Sequence, residues 1–315
     1  MDRKDYRFWS VQIKEKALRL GFEYVGISNA EILLEEKERV EQWLSEGYQA
    51  EMHYLENNKE KRYDPSKLFE GTKSVVTVLL NYYPERILDK DNNYKIAKYA
   101  YGKDYHFIIK DKLNLILDEL KKDIPKLEGR AFTDSAPFLD RAWAKQSGLG
   151  FIGKNTCLIN RKMGSFFLIG QLLLNIDLEY DSSEHSNYCG SCRRCIDACP
   201  TGALKDEFTI DSRKCISYLT IEYKGDLPQN LKNNFNDWIF GCDICQDVCP
   251  WNRFSKPHSI QELNPHPSLF DKLKSKKDWE SLRPEEFGEI FRGSAVKRAK
   301  YSGLKRNIDF LAKES

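Results

Sequence analysis

Eight of the nine cysteines fall between Cys189 and Cys249, and their spacing selects a chemistry. Cys189-x2-Cys192-x2-Cys195-x3-Cys199-Pro200 reproduces the run with which bacterial two-cluster ferredoxins hold [4Fe–4S] cubes, three thiolates on one cluster and the fourth on the other. A second run, Cys242-x2-Cys245-x3-Cys249-Pro250, is one member short: Ile239 stands where a further thiol would precede it, and Cys215 is the only spare cysteine nearby. Two cubes need eight thiolates. The arithmetic closes with Cys189, Cys192, Cys195 and Cys249 on one cluster and Cys199, Cys215, Cys242 and Cys245 on the other. Zinc is the competing use of Cys-x2-Cys pairs, but one zinc takes half of these ligands and two leave both Cys-Pro endings unexplained. Cys157, with apolar neighbours on one side, reads as a small buried hydrophobe.

Other chemistry-bearing residues are less specific. Gly148-x-Gly150-x2-Gly153-Lys154-Asn155 fits the letters of a dinucleotide or phosphate loop, but a helical pattern rather than a strand precedes it, and Asn155 replaces the hydroxyl residue that would hold magnesium. A turn that lets backbone approach a ligand or a neighbouring strand is the better reading. Asp104-Tyr105-His106 begins the Asp-x-His-x2-Gly pattern that donates histidine to cobalt in some corrinoid enzymes, yet Ile109 occupies the glycine position. The five histidines are dispersed without metal-site spacing. Asp134, in Thr133-Asp134-Ser135-Ala136-Pro137 ahead of a helical pattern, reads by itself as a helix cap.

These residues need elements to position them, and 315 residues with 41% hydrophobic and 31% charged content are enough for about two domains. Apolar periodicity predicts helices over 6–20, 30–44, 107–120 and 138–147, the first closed by Gly21, and strands over 23–27, 157–159 and 166–174. Residues 74–80 are β-branched and almost continuously apolar, which suits a central strand covered on both faces. The fold class expected is α+β: a layered α/β-type domain at 1–181, entered through a polar helix start at Met1-Asp2, and a ferredoxin-like module at 182–258 after the polar connector Asp181-Ser182-Ser183-Glu184. A basic helical segment follows at 259–315, in which Lys297, Arg298, Lys300, Lys305 and Arg306 are the candidate phosphate contacts. Net charge is only +2, so any nucleic-acid surface must be local. No apolar run approaches a membrane span and the opening residues are not a signal peptide, so a cytoplasmic protein with no membrane partner is expected.

Taken together, these motifs resemble the epoxyqueuosine reductases. The resemblance runs over nearly the whole chain, from Met52-x-Tyr54-Leu55 and Arg62-x-Asp64-Pro65 through Tyr101-Gly102-Lys103-Asp104-Tyr105-His106 to Asp140-Arg141-x3-Lys145 and the Gly-Lys-Asn block. It continues through both cysteine runs, Cys215-Ile216-Ser217-Tyr218-Leu219-Thr220, and Phe291-Arg292-Gly293-Ser294-x2-Lys297-Arg298. It implies a cobalamin-binding first domain, two [4Fe–4S] clusters, and reduction of the epoxide of tRNA-bound epoxyqueuosine to queuosine, with electrons from an unidentified low-potential donor of flavodoxin or ferredoxin type. It further implies Asp134 as proton donor, with Tyr105 and His106 in reserve, and Asn57, Ala97, Asp134, Leu158, Ile169, Ser217, Cys242 and Asp243 as corrin-lining positions. An apolar corrin face beside Asp134 is expected to raise its pKa. The resemblance is to forms without a C-terminal helical-repeat extension, the last motif ending at Arg298.

Two other readings compete. A corrinoid reductive dehalogenase shares the layout of a corrin and two clusters, but export signals are usual in that class. A ferredoxin-type carrier has no use for some 180 residues ahead of its clusters.

Overall fold

In a computed structural model of the chain, residues 3–88, 92–183, 186–205 and 208–312 are described. Met1 and Asp2 of the expected polar opening and Glu184 of the connector lie outside them. The first part of the chain runs α1 (Arg3–Arg19), β1 (Tyr24–Asn29), α2 (Leu34–Ser45), α3 (Lys59–Tyr63), α4 (Pro65–Leu68), β2 (Ser74–Asn81) and β3 (Lys95–Ile96). It continues with α5 (Tyr105–Asp123), β4 (Gly129–Phe132), α6 (Asp140–Gln146), β5 (Phe151–Ile152), β6 (Leu158–Ile159) and β7 (Phe167–Leu174).

Four of these strands form one antiparallel sheet in the order β1-β2-β7-β4. Every residue of β2 is buried, as its unbroken β-branched run predicts, because helices cover both faces of the sheet. Ile13 and Ala17 of α1 and Ile109 and Leu113 of α5 join Val76, Val78, Leu168 and Leu172 in the core on one side. On the other, Trp143 of α6 packs with Val75, Phe132 and Leu173. Gly170 lets α5 lie this close, since a Cβ there would collide with Ile109 and stand 3.1 Å from Leu113. That contact fixes the N-terminus of α5, which carries Tyr105 and His106.

Three local expectations shift. The second helix starts at Leu34 rather than residue 30, because Ala30 N–H still donates to Lys73 O at 3.1 Å and prolongs the sheet edge. The helix expected from 138 starts at Asp140: the Phe138 ring stacks at 5.6 Å on Trp143 and anchors the approach instead of forming the first turn. The strands expected at 157–159 and 166–174 do not pair with each other. β6 pairs with β5, and a bridge between Asn160 and Gly164 closes the turn that follows.

The cysteine-rich part holds α7 (Arg194–Asp197), α8 (Ile216–Ile221), β8 (Trp238–Phe240) and α9 (Ile244–Asp247), α7 and α9 each being one turn within a cysteine run. The last part adds α10 (Pro267–Lys272), α11 (Lys276–Glu280), α12 (Pro284–Ile290) and α13 (Lys300–Leu311). These segments are not separate bodies. β3 pairs in parallel with β8, and fully buried Asn307 of α13 donates to Thr220 O at 2.9 Å and Ile239 O at 2.8 Å. Tyr94, Phe240, Trp279, Phe291 and Leu304, drawn from all three parts, share one core. Among the described residues no helix is long and apolar enough to cross a membrane.

Candidate active site

Asp134 sits two residues past β4, in the left-handed region at φ 48°, a conformation costly for a residue with a Cβ. Its neighbour Thr133 ties this turn to β7 by donating from Oγ1 to Ile169 O at 2.7 Å. Asp134 is not a helix cap, because α6 begins six residues later after Leu139. Its Oδ2 instead accepts from Tyr105 Oη at 2.9 Å and lies 3.3 Å from His106 Nε2. Tyr105 and His106 open α5, whose N-cap Asp104 accepts from His106 N–H at 3.0 Å and meets His106 Nδ1 at 2.6 Å.

The His106 ring is therefore held between two carboxylates. Burial pulls its pKa down, but hydrogen bonds and charge from Asp104 and Asp134 outweigh this and carry it up to about 9. The Asp134 side chain keeps 53% of its surface exposed, yet the surrounding protein atoms partly desolvate its carboxyl. That partial desolvation raises its pKa, while donation from His106 and Tyr105 lowers it further, so the carboxyl ends below the ordinary range. At neutral pH the proton rests on His106, with Asp134 ionised beside it and the Tyr105 phenol kept neutral by burial and by the Asp134 charge.

Polar atoms collect beneath this turn. Asp140 is pushed up to about 7 by burial and then by the Asp134 charge. Asp140 Oδ1, Gln171 Oε1 and Arg62 Nε are buried with no hydrogen-bond partner among the described residues. From the tail, Arg298 pairs with Glu222 at 2.7 Å, and its charge reaches Asp134 and Tyr54. The other expected phosphate contacts divide. Arg306 spends its guanidinium on Leu219 O, Tyr223 O and Gly225 O at 2.8–3.0 Å, and Lys305 binds Asp309 and Glu280 O, whereas Lys297 and Lys300 are exposed.

Cys189, Cys192, Cys195 and Cys249 line one cavity of about 220 Å³, together with Lys154, Asn155, Tyr188 and Trp251. Burial and then the Cys189 and Cys195 sulfurs push the Cys249 thiol up to about 11, which places these thiols within mutual influence. Cys215, Cys242 and Cys245 are likewise raised, Cys242 by burial and then by Cys215 and Cys199 among its neighbours, so the remaining four thiols form a second neighbourhood. Among the described residues no three His, Cys, Asp or Glu side chains converge tightly enough for a single metal ion. Lys154 and Asn155 join the two runs, Lys154 Nζ donating to Gly190 O at 2.7 Å and Asn155 Nδ2 to Cys245 O at 3.2 Å. The glycine-rich block is thus a packing device, and a Cβ at Gly150 would strike Ile159 O of the neighbouring strand. Cys157 is only half-buried, its thiol donating to Asn155 O at 3.7 Å with Cys245 as a neighbouring thiol, which corrects its reading as a small buried hydrophobe.

Of the carried-over corrin positions, Asp134 and Asp243 both act on Tyr99, whose phenol is pushed up by burial and then by their charges. Ala97 N–H donates to Phe240 O at 2.8 Å, and Lys98 N–H to Asp243 Oδ2 at 2.8 Å, which brings Ala97, Cys242 and Asp243 together. Ile169 and Leu158 belong to one apolar cluster, Ile169 being the strand residue that receives Thr133. Ser217 is half-buried at the start of α8, directly after Cys215 and the buried Ile216. Asn57 lies in an exposed turn before α3, with no hydrogen bond to the other positions among the described residues. Sequence reasoning named Asp140 only as a motif letter and missed Glu222 altogether, since their roles come from contacts with residues distant in the chain.

A sheet-supported carboxylate–imidazolium–phenol group beside paired cysteine runs defines a redox enzyme with proton-transfer machinery. Residues 188–252 match the model of a 4Fe-4S double cluster binding domain, and residues 62–135 that of epoxyqueuosine reductase QueG, DUF1730. An epoxyqueuosine reductase of Leadbetterella byssophila is 52% identical over 97% of this chain and 99% of its own length. The solved Bacillus subtilis epoxyqueuosine reductase whose catalytic aspartate loop is swung out of the active site superposes with a TM-score of 0.87 at 30% identity, covering 96% of this chain and 81% of that one. A further epoxyqueuosine reductase, solved with an epoxyqueuosine-modified tRNA stem loop, gives a TM-score of 0.86 at 30% identity, over 96% of this chain and 80% of that one. The chain belongs to the epoxyqueuosine reductase family. The dehalogenase and electron-carrier readings give way to it.

Proposed function

We propose that this protein acts in the cytoplasm on tRNA carrying epoxyqueuosine, taking the epoxide to the alkene of queuosine with two electrons and two protons and releasing water. The observation that carries the reading is the Asp134–His106–Tyr105 group, joined through Tyr99, which feels the charges of both Asp134 and Asp243, to the segment of Cys242. Cobalamin would be held by Asn57, Ala97, Asp134, Leu158, Ile169, Ser217, Cys242 and Asp243, the positions the family resemblance carries over, of which Ala97, Cys242 and Asp243 are brought together here. Two [4Fe–4S] clusters fit the thiols: Cys189, Cys192, Cys195 and Cys249 around the cavity, and Cys199, Cys215, Cys242 and Cys245 inward of it. When bound, these groups supply single electrons and a strongly reduced cobalt able to open a strained ring.

The protein's own residues handle the proton. Imidazolium His106 is the reservoir, because its pKa of about 9 keeps it charged at neutral pH. Asp134, 3.3 Å away, takes that proton once a bound substrate displaces the water around it and disfavours the carboxylate. It then protonates the oxygen leaving the opened ring, and Tyr105 holds Oδ2 in place. Mass spectrometry of tRNA nucleosides, after anaerobic incubation of the reduced protein with epoxyqueuosine-containing tRNA, tests the reading: queuosine must appear and epoxyqueuosine decline in step.

A further inference from the structure

The two cysteine neighbourhoods differ in what surrounds them. Cys215 and Cys242 pack against Ala97, Ile216, Trp238 and Met52 in an apolar cluster. The cavity of Cys189, Cys192, Cys195 and Cys249 instead lies at the surface, behind exposed Gly190, Ser191, Arg193 and Arg194. Arg161 stacks at 4.3 Å on Tyr188, Arg253 at 4.5 Å on Phe254, and Lys162 is exposed beside them. Next to this rim is a recess of about 830 Å³ lined by Arg194, Asp197, Val248, Pro250, Arg253 and Tyr83. Its acidic residues are already matched, Asp197 by Arg193 at 3.6 Å and Asp247 by buried Lys98 at 2.7 Å. Arg161, Arg194 and Arg253 make no ion pair among the described residues, so the rim is net cationic around an apolar centre that includes Phe254, 38% exposed.

Position favours electron input here. The order inward is rim, cavity, Asn155 bridging to Cys245, the second thiol neighbourhood, then Tyr99 and Asp134. Electron transfer weakens steeply with distance, so a protein donor must meet the outermost site. We propose that this rim docks an acidic, low-potential one-electron carrier, a flavin or iron–sulfur protein, whose charge complements the arginines. The inference rests on the cluster reading above. Each encounter oxidises one carrier by one electron and reduces the outer cluster by one; two encounters supply the pair of electrons that the epoxide consumes. A small interface with a charged rim suits such brief redox encounters.

The test uses the holoprotein and flavodoxin as the probe. Oxidised flavodoxin is titrated calorimetrically at low ionic strength against the parent, Arg161→Glu/Arg194→Glu and Arg161→Lys/Arg194→Lys. The charge reversal should weaken Kd about tenfold or more and flatten its salt dependence, while the lysine pair stays within about twofold of the parent. Stopped-flow bleaching of the iron–sulfur absorbance by reduced flavodoxin should slow in parallel, with bleaching by titanium(III) citrate and iron content unchanged. Equal Kd and salt dependence in parent and reversed variant would overturn the proposal, as would a loss of tRNA stem-loop affinity in place of flavodoxin affinity. Neither binding nor bleaching involves an epoxide, so a failed substrate assignment leaves both readouts standing.

Discussion

His106 Nε2 stands 3.3 Å from Asp134 Oδ2 while its Nδ1 stands 2.6 Å from Asp104, so a single imidazole joins the cap of α5 to the strained turn after β4. The consequence is a stored proton. The carboxylates of Asp104 and Asp134 together keep His106 protonated above its ordinary range.

Asp134→Asn should keep both kinds of cofactor, because the amide oxygen still accepts from Tyr105, yet turnover should fall about 10²-fold or more for want of an acidic proton. Nuclear magnetic resonance of the His106 ring should show its pKa moving down from about 9 once the Asp134 charge is gone. Parental queuosine formation by the Asn variant across the pH range would remove Asp134 as donor, and a comparable loss in His106→Gln alone would move the role there.

Stability should depend on pH through the same ring. The folded pKa of His106, about 9, lies above its unfolded value of about 6.5, so the folded state binds the extra proton. The stabilisation is fully present below about pH 6.5 and is lost as pH rises through about 9. Denaturant titrations of the parent and His106→Gln should therefore converge toward alkaline pH; a gap that widens there would contradict the assignment.

Cys215→Ser should lose or perturb one cluster, and Cys157→Ser should retain about eight irons after anaerobic reconstitution. Because Cys157 neighbours Cys245, its serine variant should nevertheless alter the spectrum of the inner cluster and leave the outer one as it was. Iron analysis with electron paramagnetic resonance checks both, and the reverse pattern would overturn the ligand sets.

The cob(II)alamin form should show no nitrogen splitting from an axial histidine. Both nitrogens of His106, the histidine of the incomplete cobalt motif, already face carboxylates. Resolved splitting, lost in His106→Gln, would contradict this.

Tail residues should separate by role. Alanine at Lys297, Arg298 and Lys300 together should weaken tRNA binding and reduce its salt dependence, as expected for phosphate contacts. Arg306→Ala should instead cost about 2 kcal/mol or more of folding stability, since three backbone carbonyls lose their charged donor. Filter binding and thermal melts distinguish the two.

Spacing along the chain carried the cluster chemistry, the buried central strand 74–80 and the helix at 107–120, which the structure extends back through Tyr105 and His106, because each depends on neighbours a few residues apart. Local patterning also read Asp134 as a cap, and there it failed: the Phe138 ring displaced the helix start, and partners thirty residues upstream gave the carboxylate its use. The basic tail looked uniform in sequence, yet packing turned Arg306 inward onto α8 and Arg298 toward Glu222 and left Lys297 and Lys300 outside. A side chain's charge state and partner depend on what the fold places within a few ångströms of it. That proximity is set by the antiparallel sheet, the β3–β8 pairing and the shared core of the three segments, none of which has a local signature.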